Sequence, residues 1–352
     1  MKKLLLPLLL FIFIASACGN TEEAQTTADT ENAATEEKLN IYTTVYPLTY
    51  FTERIGGEHV NVQSIYPAGS NEHTFEPTQQ DMITLADADA VFYIGLGLEG
   101  FIDSAKKTLS NENVEFVATA ESIPEADLGE GHSDEEEHEQ GHDKGTEEEH
   151  NHAHEEGTEE AHDHAHEEGT EEAHDHGHEV DPHVWISPVL SQQIAEAVKD
   201  ELVERDGENA EEYEANYEQL VEELKELDQS FEQMAAAAEQ KTFFVSHSAF
   251  GYWANAYGLE QVAVAGLNSQ DEPSQQELVE IVKQAEELNI DHIAFEQNVS
   301  SRLTEVIQNE IGAEAVQLHN LSVLTQDEID AGETYFSLMQ KNLEVMEEIL
   351  RQ

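Results

Sequence analysis

The chain has 352 residues and a formal net charge of −62 at pH 7, from 77 Asp and Glu against 15 Lys and Arg. That balance repels nucleic acid and anionic lipid headgroups, attracts cations, and suits a saline or alkaline exterior, so nucleic-acid binding is excluded as a function class. A single cysteine, Cys18, excludes an internal disulfide.

Lys2 and Lys3 precede an apolar run over residues 4–17. The run is too short to cross a hydrocarbon core of about 30 Å as a helix, and it fits the apolar region of a secretory signal. Ile14-Ala15-Ser16-Ala17-Cys18-Gly19 resembles a bacterial lipoprotein cleavage site, with Ala15 where such sites usually carry Leu. Residues 1–18 therefore read as a lipoprotein signal with Cys18 as the lipidation site, and residues 19–38, which have nothing to bury, as a flexible tether.

An N-terminal lobe over residues 39–187 opens with an alternating apolar strand at 39–45, ended by Pro47. A helix runs to the Gly56-Gly57 stop, a strand follows at 60–65, and Pro67-Ala-Gly-Ser-Asn-Glu-His73-Thr-Phe-Glu-Pro77 forms a Gly/Pro-bounded loop. A loop histidine beyond a strand's C-terminal end lies where open α/β sheets place ligands. A short helix at 78–86 and strands at 90–94 and 114–117 complete the pattern.

Residues 129–180 break with everything around them. Twelve of the chain's 18 histidines fall here among Asp and Glu, in a unit recurring as His150-Asn-His152-Ala-His154, His162-Asp-His164-Ala-His166 and His174-Asp-His176-Gly-His178. Without apolar side chains larger than Ala between His132 and Glu179 the tract cannot offset the entropy of ordering, and it reads as a disordered loop. Its imidazoles offer many weak sites for a borderline metal such as Zn2+; an acidic solubilising linker, the plainer alternative, does not require them. Asp181-Pro-His183-Val-Trp185 then restores globular sequence.

Residues 188–240 are helical. Tyr213, Tyr217, Leu220, Leu224, Leu227, Phe231 and Met234 recur at spacings of four and three behind an N-cap candidate, Asn209. From there to Gln240 an unbroken helix would run about 48 Å, longer than a small domain is wide, and it is read as one helix bridging two lobes.

A C-terminal lobe over 241–352 repeats the alternation: strands at 242–245, 261–265, 292–295 and 315–318, with helices through Trp253 and at 275–288 and 301–311. His247 and His319 each fall just beyond a strand, as His73 does. Two facing α/β lobes would bring these edges together, and with them His73, His183, His247 and His319. His59 and His292, at strand starts, read as structural.

Thr43-Thr-Val-Tyr-Pro47, the Glu-His73-Thr-Phe-Glu-Pro stretch, Asp181-Pro-His183-Val-Trp and Ser246-His247-Ser-Ala-Phe-Gly-Tyr252, in this order, resemble the metal-receptor lipoproteins of bacterial ABC importers, in particular their zinc-binding, ZnuA/AdcA-type branch. The resemblance implies an α/β fold: two (β/α) lobes with parallel sheets joined by one long rigid helix, and a metal site in the inter-lobe cleft. It implies His73, His183 and His247 as the first three ligands of Zn2+ and an ABC-transporter permease as partner, on a monomer held outside the membrane by its lipid. Manganese-binding relatives carry a carboxylate where His247 stands, and an imidazole in place of that hard oxygen favours Zn2+.

The fourth ligand is open on the sequence. His319 ranks first, ahead of water, Glu296 and Glu72, although four imidazoles would leave the metal's charge uncompensated in a buried cleft. Other function classes are a manganese or other divalent-metal receptor, an extracellular zinc buffer or adhesin, and a zinc hydrolase with water in the fourth place. The one His-Glu-x-x-His, His138-Glu-Gln-Gly-His142, lies in the histidine-rich tract, which has no core to fix its geometry, and so does not support the last.

Overall fold

The computed structural model describes residues 38–129, 180–297 and 302–351. Among them eight strands form two four-stranded sheets in which every pairing is parallel. The first contains β1 (Leu39–Thr43), β2 (Val60–Ser64), β3 (Ala90–Tyr93) and β4 (Glu115–Ala118) in the order β2-β1-β3-β4. The second contains β5 (Thr242–His247), β6 (Glu260–Ala265), β7 (His292–Phe295) and β8 (Glu314–Gln317) in the matching order β6-β5-β7-β8. In both, the chain leaves the first strand for one neighbour and later crosses to the other side, which opens a crevice beyond the strands' carboxyl ends. This is the expected α/β class, with the order of strands as new information.

Helices cover the sheets as parallel strands require. The first strand ends at Thr43 rather than Val45, and Pro47 lies in the first turn of α1 (Tyr46–Gly56), where a missing N–H leaves no bond unmade. The long helix α5 spans Ala210–Ala237, 28 residues and so about 42 Å. Its stripe of Tyr213, Leu220, Leu224, Leu227, Phe231 and Met234 is buried. The stripe packs on α1 and α4 (Pro188–Arg205) beside the first sheet and on α6 (Gly251–Tyr257) beside the second. Phe231 lies 4.8 Å from the ring of Trp253 on α6. Asn209 occupies the N-cap position, but its side chain donates to Asp206 instead of capping the helix.

Three helices went unread in the sequence: α3 (Ile102–Thr108), α9 (Gln326–Ala331) and α10 (Tyr335–Ile349). α9 and α10 open with capping boxes, Thr325 paired to Glu328 and Thr334 to Ser337, whereas α3 has no side-chain cap. α10 crosses to the first lobe, where Tyr335 stands edge-on to Phe51 at 5.0 Å and stacks on Tyr50 at 6.3 Å. One apolar core therefore runs through both lobes, with a smaller one around Phe244, Ile293 and Ile307 beneath α7 (Gln275–Glu287) and α8 (Arg302–Ile311).

Candidate metal centre

Each histidine of the cleft is aimed by its own local structure. His73 sits between β2 and α2 (Gln79–Ala86), in a turn where Asn71 Oδ1 accepts its main-chain N–H at 3.0 Å. Gly69 opens that turn at φ +71, a conformation open to glycine at no steric cost, and its N–H donates to Leu324 O of the second lobe at 2.9 Å. His183 follows Asp181, whose Oδ1 accepts both its main-chain N–H at 2.9 Å and its Nδ1–H at 2.8 Å. A Cβ on Gly251 would lie 2.9 Å from Asp181 Oδ2, so only a residue without a side chain lets α6 start this close. His247 ends β5 and donates Nδ1–H to Glu296 Oε1 at 2.7 Å; the same oxygen accepts from Ser246 Oγ at 2.9 Å.

The three rings converge from both lobes. His73, His183 and His247 each offer a ring nitrogen, all within 4.8 Å of one another, and His183 and His247 are fully buried. The Nε2 atoms of His183 and His247 stand 3.2 Å apart. With both Nδ1 atoms donating to carboxylates, both Nε2 atoms carry lone pairs, and two lone pairs at this distance repel unless a proton or a metal cation lies between them. Ligand atoms about 2.0–2.1 Å from a tetrahedral Zn2+ stand about 3.3 Å from each other, so the spacing fits that ion. Carboxylates behind Nδ1 fix the tautomer that a metal needs and raise the basicity of the ring.

Burial and the two neighbouring rings push the His73 imidazole down to about 3, so it is neutral at physiological pH. For His247 burial works against the charge, but the Glu296 carboxylate outweighs it and the pKa is raised. Glu72 is buried beside His73 and burial raises its pKa; its Oε2 and His73 Nε2 have no hydrogen-bond partner.

Two comparisons with known proteins decide what kind of molecule carries this centre. The profile of the family described as ZnuA, zinc-uptake complex component A, periplasmic, matches residues 41–349. The High-affinity zinc uptake system protein ZnuA of Bacillus subtilis (strain 168) is 35% identical over 340 residues, 97% of this chain and 94% of that protein. The chain belongs to this family. The Zinc-binding lipoprotein AdcA of Streptococcus pneumoniae (strain ATCC BAA-255 / R6) is 32% identical over 351 residues, 99% of this chain but only 61% of the longer streptococcal protein. Among solved structures, the Zn(II)-bound ZnuA-like domain of Streptococcus pneumoniae AdcA superposes with a TM-score of 0.66 at 29% identity, over 90% of this chain and all of that one. The two-lobe, two-sheet α/β architecture is the architecture of this family.

His319, ranked first as fourth ligand on the sequence, is not in the group that the cleft brings together. Its Nδ1 accepts the Leu321 N–H at 2.8 Å, which puts the ring's proton on Nε2. That Nε2 lies 3.2 Å from Glu328 Oε1, though without the alignment of a hydrogen bond. A ring holding both nitrogens this way has no lone pair for a metal. Glu296, another candidate, faces His247 and orients it. His59 lies 3.2 Å from Glu212 and edge-on to Tyr213, and His292 pairs with Asp291, both outside the cleft group. Sequence reasoning missed Asp181 and Asn320, whose amide reaches Glu72 and Glu296. Asp181 was visible as the acid two positions before His183; Asn320 had no signal of its own. Cys18, the signal and tether of residues 1–37, and the histidine-rich residues 130–179 lie outside the described residues.

Proposed function

We propose that this chain is an extracytoplasmic high-affinity zinc receptor that captures Zn2+ between its lobes and delivers it to an ABC permease. His73, His183 and His247 are the proposed ligands, with Glu72 Oε2 or a water in the fourth position and His319 outside the set. The observation that carries the reading is the pair of carboxylate-backed Nε2 atoms of His183 and His247, 3.2 Å apart and in need of a cation. Three nitrogen donors favour Zn2+ over the harder Mn2+. The zinc uptake named for the Bacillus relative and the zinc binding named for the streptococcal one support the same cargo.

In this reading the chain carries metal and catalyses nothing. His183 and His247 are fully buried, which leaves an organic substrate no approach on their side of the metal, as a hydrolytic zinc would need. Residues 1–18 act as a lipoprotein signal, Cys18 carries the lipid, residues 19–38 tether a monomer to the outer face of the membrane, and the lobes span 39–187 and 241–352. His247→Ala tests the centre: calorimetric titration is expected to show zinc affinity lower by orders of magnitude with the fold unchanged by circular dichroism. A tight site that survives the substitution refutes the assignment.

A further inference from the structure

We propose that Asn320 is the positioning residue of the metal centre, holding the first lobe's half of the site against the second's through the carboxylates of Glu72 and Glu296. The inference rests on the reading of the three histidines as zinc ligands. One amide group meets both acids: Nδ2 donates to Glu72 Oε1 at 3.1 Å and to Glu296 Oε2 at 2.9 Å. Chemistry fixes which end is nitrogen. Oδ1 accepts the Ser322 main-chain N–H at 3.0 Å and Ser322 Oγ at 2.8 Å, and a flipped amide would set NH2 against N–H and oxygen against two carboxylates.

Through these bonds Asn320 touches the surroundings of every proposed ligand. Glu72 precedes His73 in the first lobe, and its Oε1 lies 3.9 Å from His73 Nε2. Glu296 orients His247 in the second. The main-chain oxygen of Asn320 accepts Trp185 Nε1–H at 2.7 Å, and the Trp185 ring lies 5.4 Å from that of His183.

The turn that presents Asn320 is built with strain. Leu321, fully buried, sits at φ +61, a region costly for a residue with a side chain and found where the surroundings over-determine it. His319 Nδ1 holds the Leu321 N–H, and Asn342 pairs with both the N–H and the C=O of His319, at 2.8 and 2.7 Å. The histidine that the sequence offered as a ligand thus serves to aim its neighbour. A neutral double donor suits the task. It satisfies one oxygen of each buried acid at a fixed separation and leaves Glu72 Oε2 unpartnered, whereas a cationic side chain would compete with the metal and an acidic one would repel both partners.

The test is Asn320→Ala and Asn320→Asp on the full chain, with Zn2+ affinity read by competition against a fluorescent chelator and ligand geometry read from the Co2+ absorption spectrum. Orienting partners of this kind are worth about 10–100-fold in metal affinity, and both variants are expected to lose that much, with a changed Co2+ spectrum. Lower melting temperatures with affinity and Co2+ spectrum unchanged would reduce Asn320 to a structural residue and overturn the proposal. If neither variant folds, Ser322→Ala decides, because it removes the side-chain half of the hold on the Asn320 amide, leaving the main-chain N–H, without touching either acid: weakening by about threefold or more supports the proposal and unchanged affinity overturns it. Absence of tight zinc binding in the unaltered chain would instead remove the zinc reading itself, and the proposal with it.

Discussion

As proposed ligands of one metal, His73 and His247 start from opposite protonation states. Burial keeps His73 neutral, with a pKa near 3, so it gives up no proton when zinc arrives. His247 is raised above its ordinary value of 6.5 by Glu296 in spite of burial, and a proton bound at its Nε2 would lie against His183 Nε2, 3.2 Å away. Zinc must displace that proton. Affinity therefore rises with pH up to the raised pKa of His247, by about tenfold per unit for one proton released. Glu296→Gln removes the charge that holds the proton, burial then dominates, and the pKa falls. Calorimetry at neutral pH in buffers of different ionisation enthalpy is expected to show fewer protons released by the variant than by the parent chain. An equal count in both would place the proton elsewhere. At this scale the three histidines were legible because each stands in a recognisable motif, His73 in the loop after β2, His183 in Asp-Pro-His-Val-Trp, and His247 at the end of β5. His319 falls outside the cleft group because a strand end gives a residue's edge of the sheet but not its side-chain direction, which the Leu321 turn sets. Glu296 serves His247 from 49 positions away, a pairing that spacing cannot reveal.

At the scale of elements, α5 was the most legible part of the chain, because a stripe at spacings of four and three states both helix and buried face. Its packing is equally definite: Asn216 Nδ2 donates to Ile55 O at the end of α1 at 3.0 Å, and Glu223 pairs with Arg54. Leu220, between those contacts, is fully buried. Leu220→Ala is expected to cost about 2–5 kcal/mol by removing buried methyl groups and leaving a cavity. Because none of the contacts that aim His73, His183 or His247 comes from this turn, metal-free and zinc-loaded chains are expected to lose melting temperature together, with zinc affinity of the folded protein unchanged. A selective loss in the zinc-loaded form would mean that this turn of α5 also sets the cleft. The terminal helices were harder to read. α9 is six residues long, too short for a periodic signal, and α10 packs on α1 from the other lobe, a partner that its own sequence does not name.

For the molecule as a whole, the open question is how a dense run of metal-binding side chains coexists with one ordered site. Its entry and exit offer the answer: Asp181 N–H donates to Gly129 O at 3.2 Å, and Tyr252 of the second lobe accepts Gly129 N–H at 3.3 Å while donating to Asp181 O at 2.7 Å. The two stems of the histidine-rich segment are thus joined to each other and to the backbone that carries His183. Deleting residues 131–178 leaves Glu130, Glu179 and Val180 to connect them, enough for a turn closed by the bond already present. Asp181 keeps its hold on His183, so the tight site is expected to persist with its affinity unchanged. The weaker sites offered by twelve imidazoles disappear, and the zinc bound per chain, measured by metal analysis after dialysis against a series of free zinc concentrations, falls toward one. Relief of acidic self-repulsion is expected to leave the shortened chain at least as stable as the parent at low ionic strength. If deletion abolished tight binding while circular dichroism showed the fold intact, a residue of that segment would have to be a primary ligand, and the three cleft histidines could no longer account for the site.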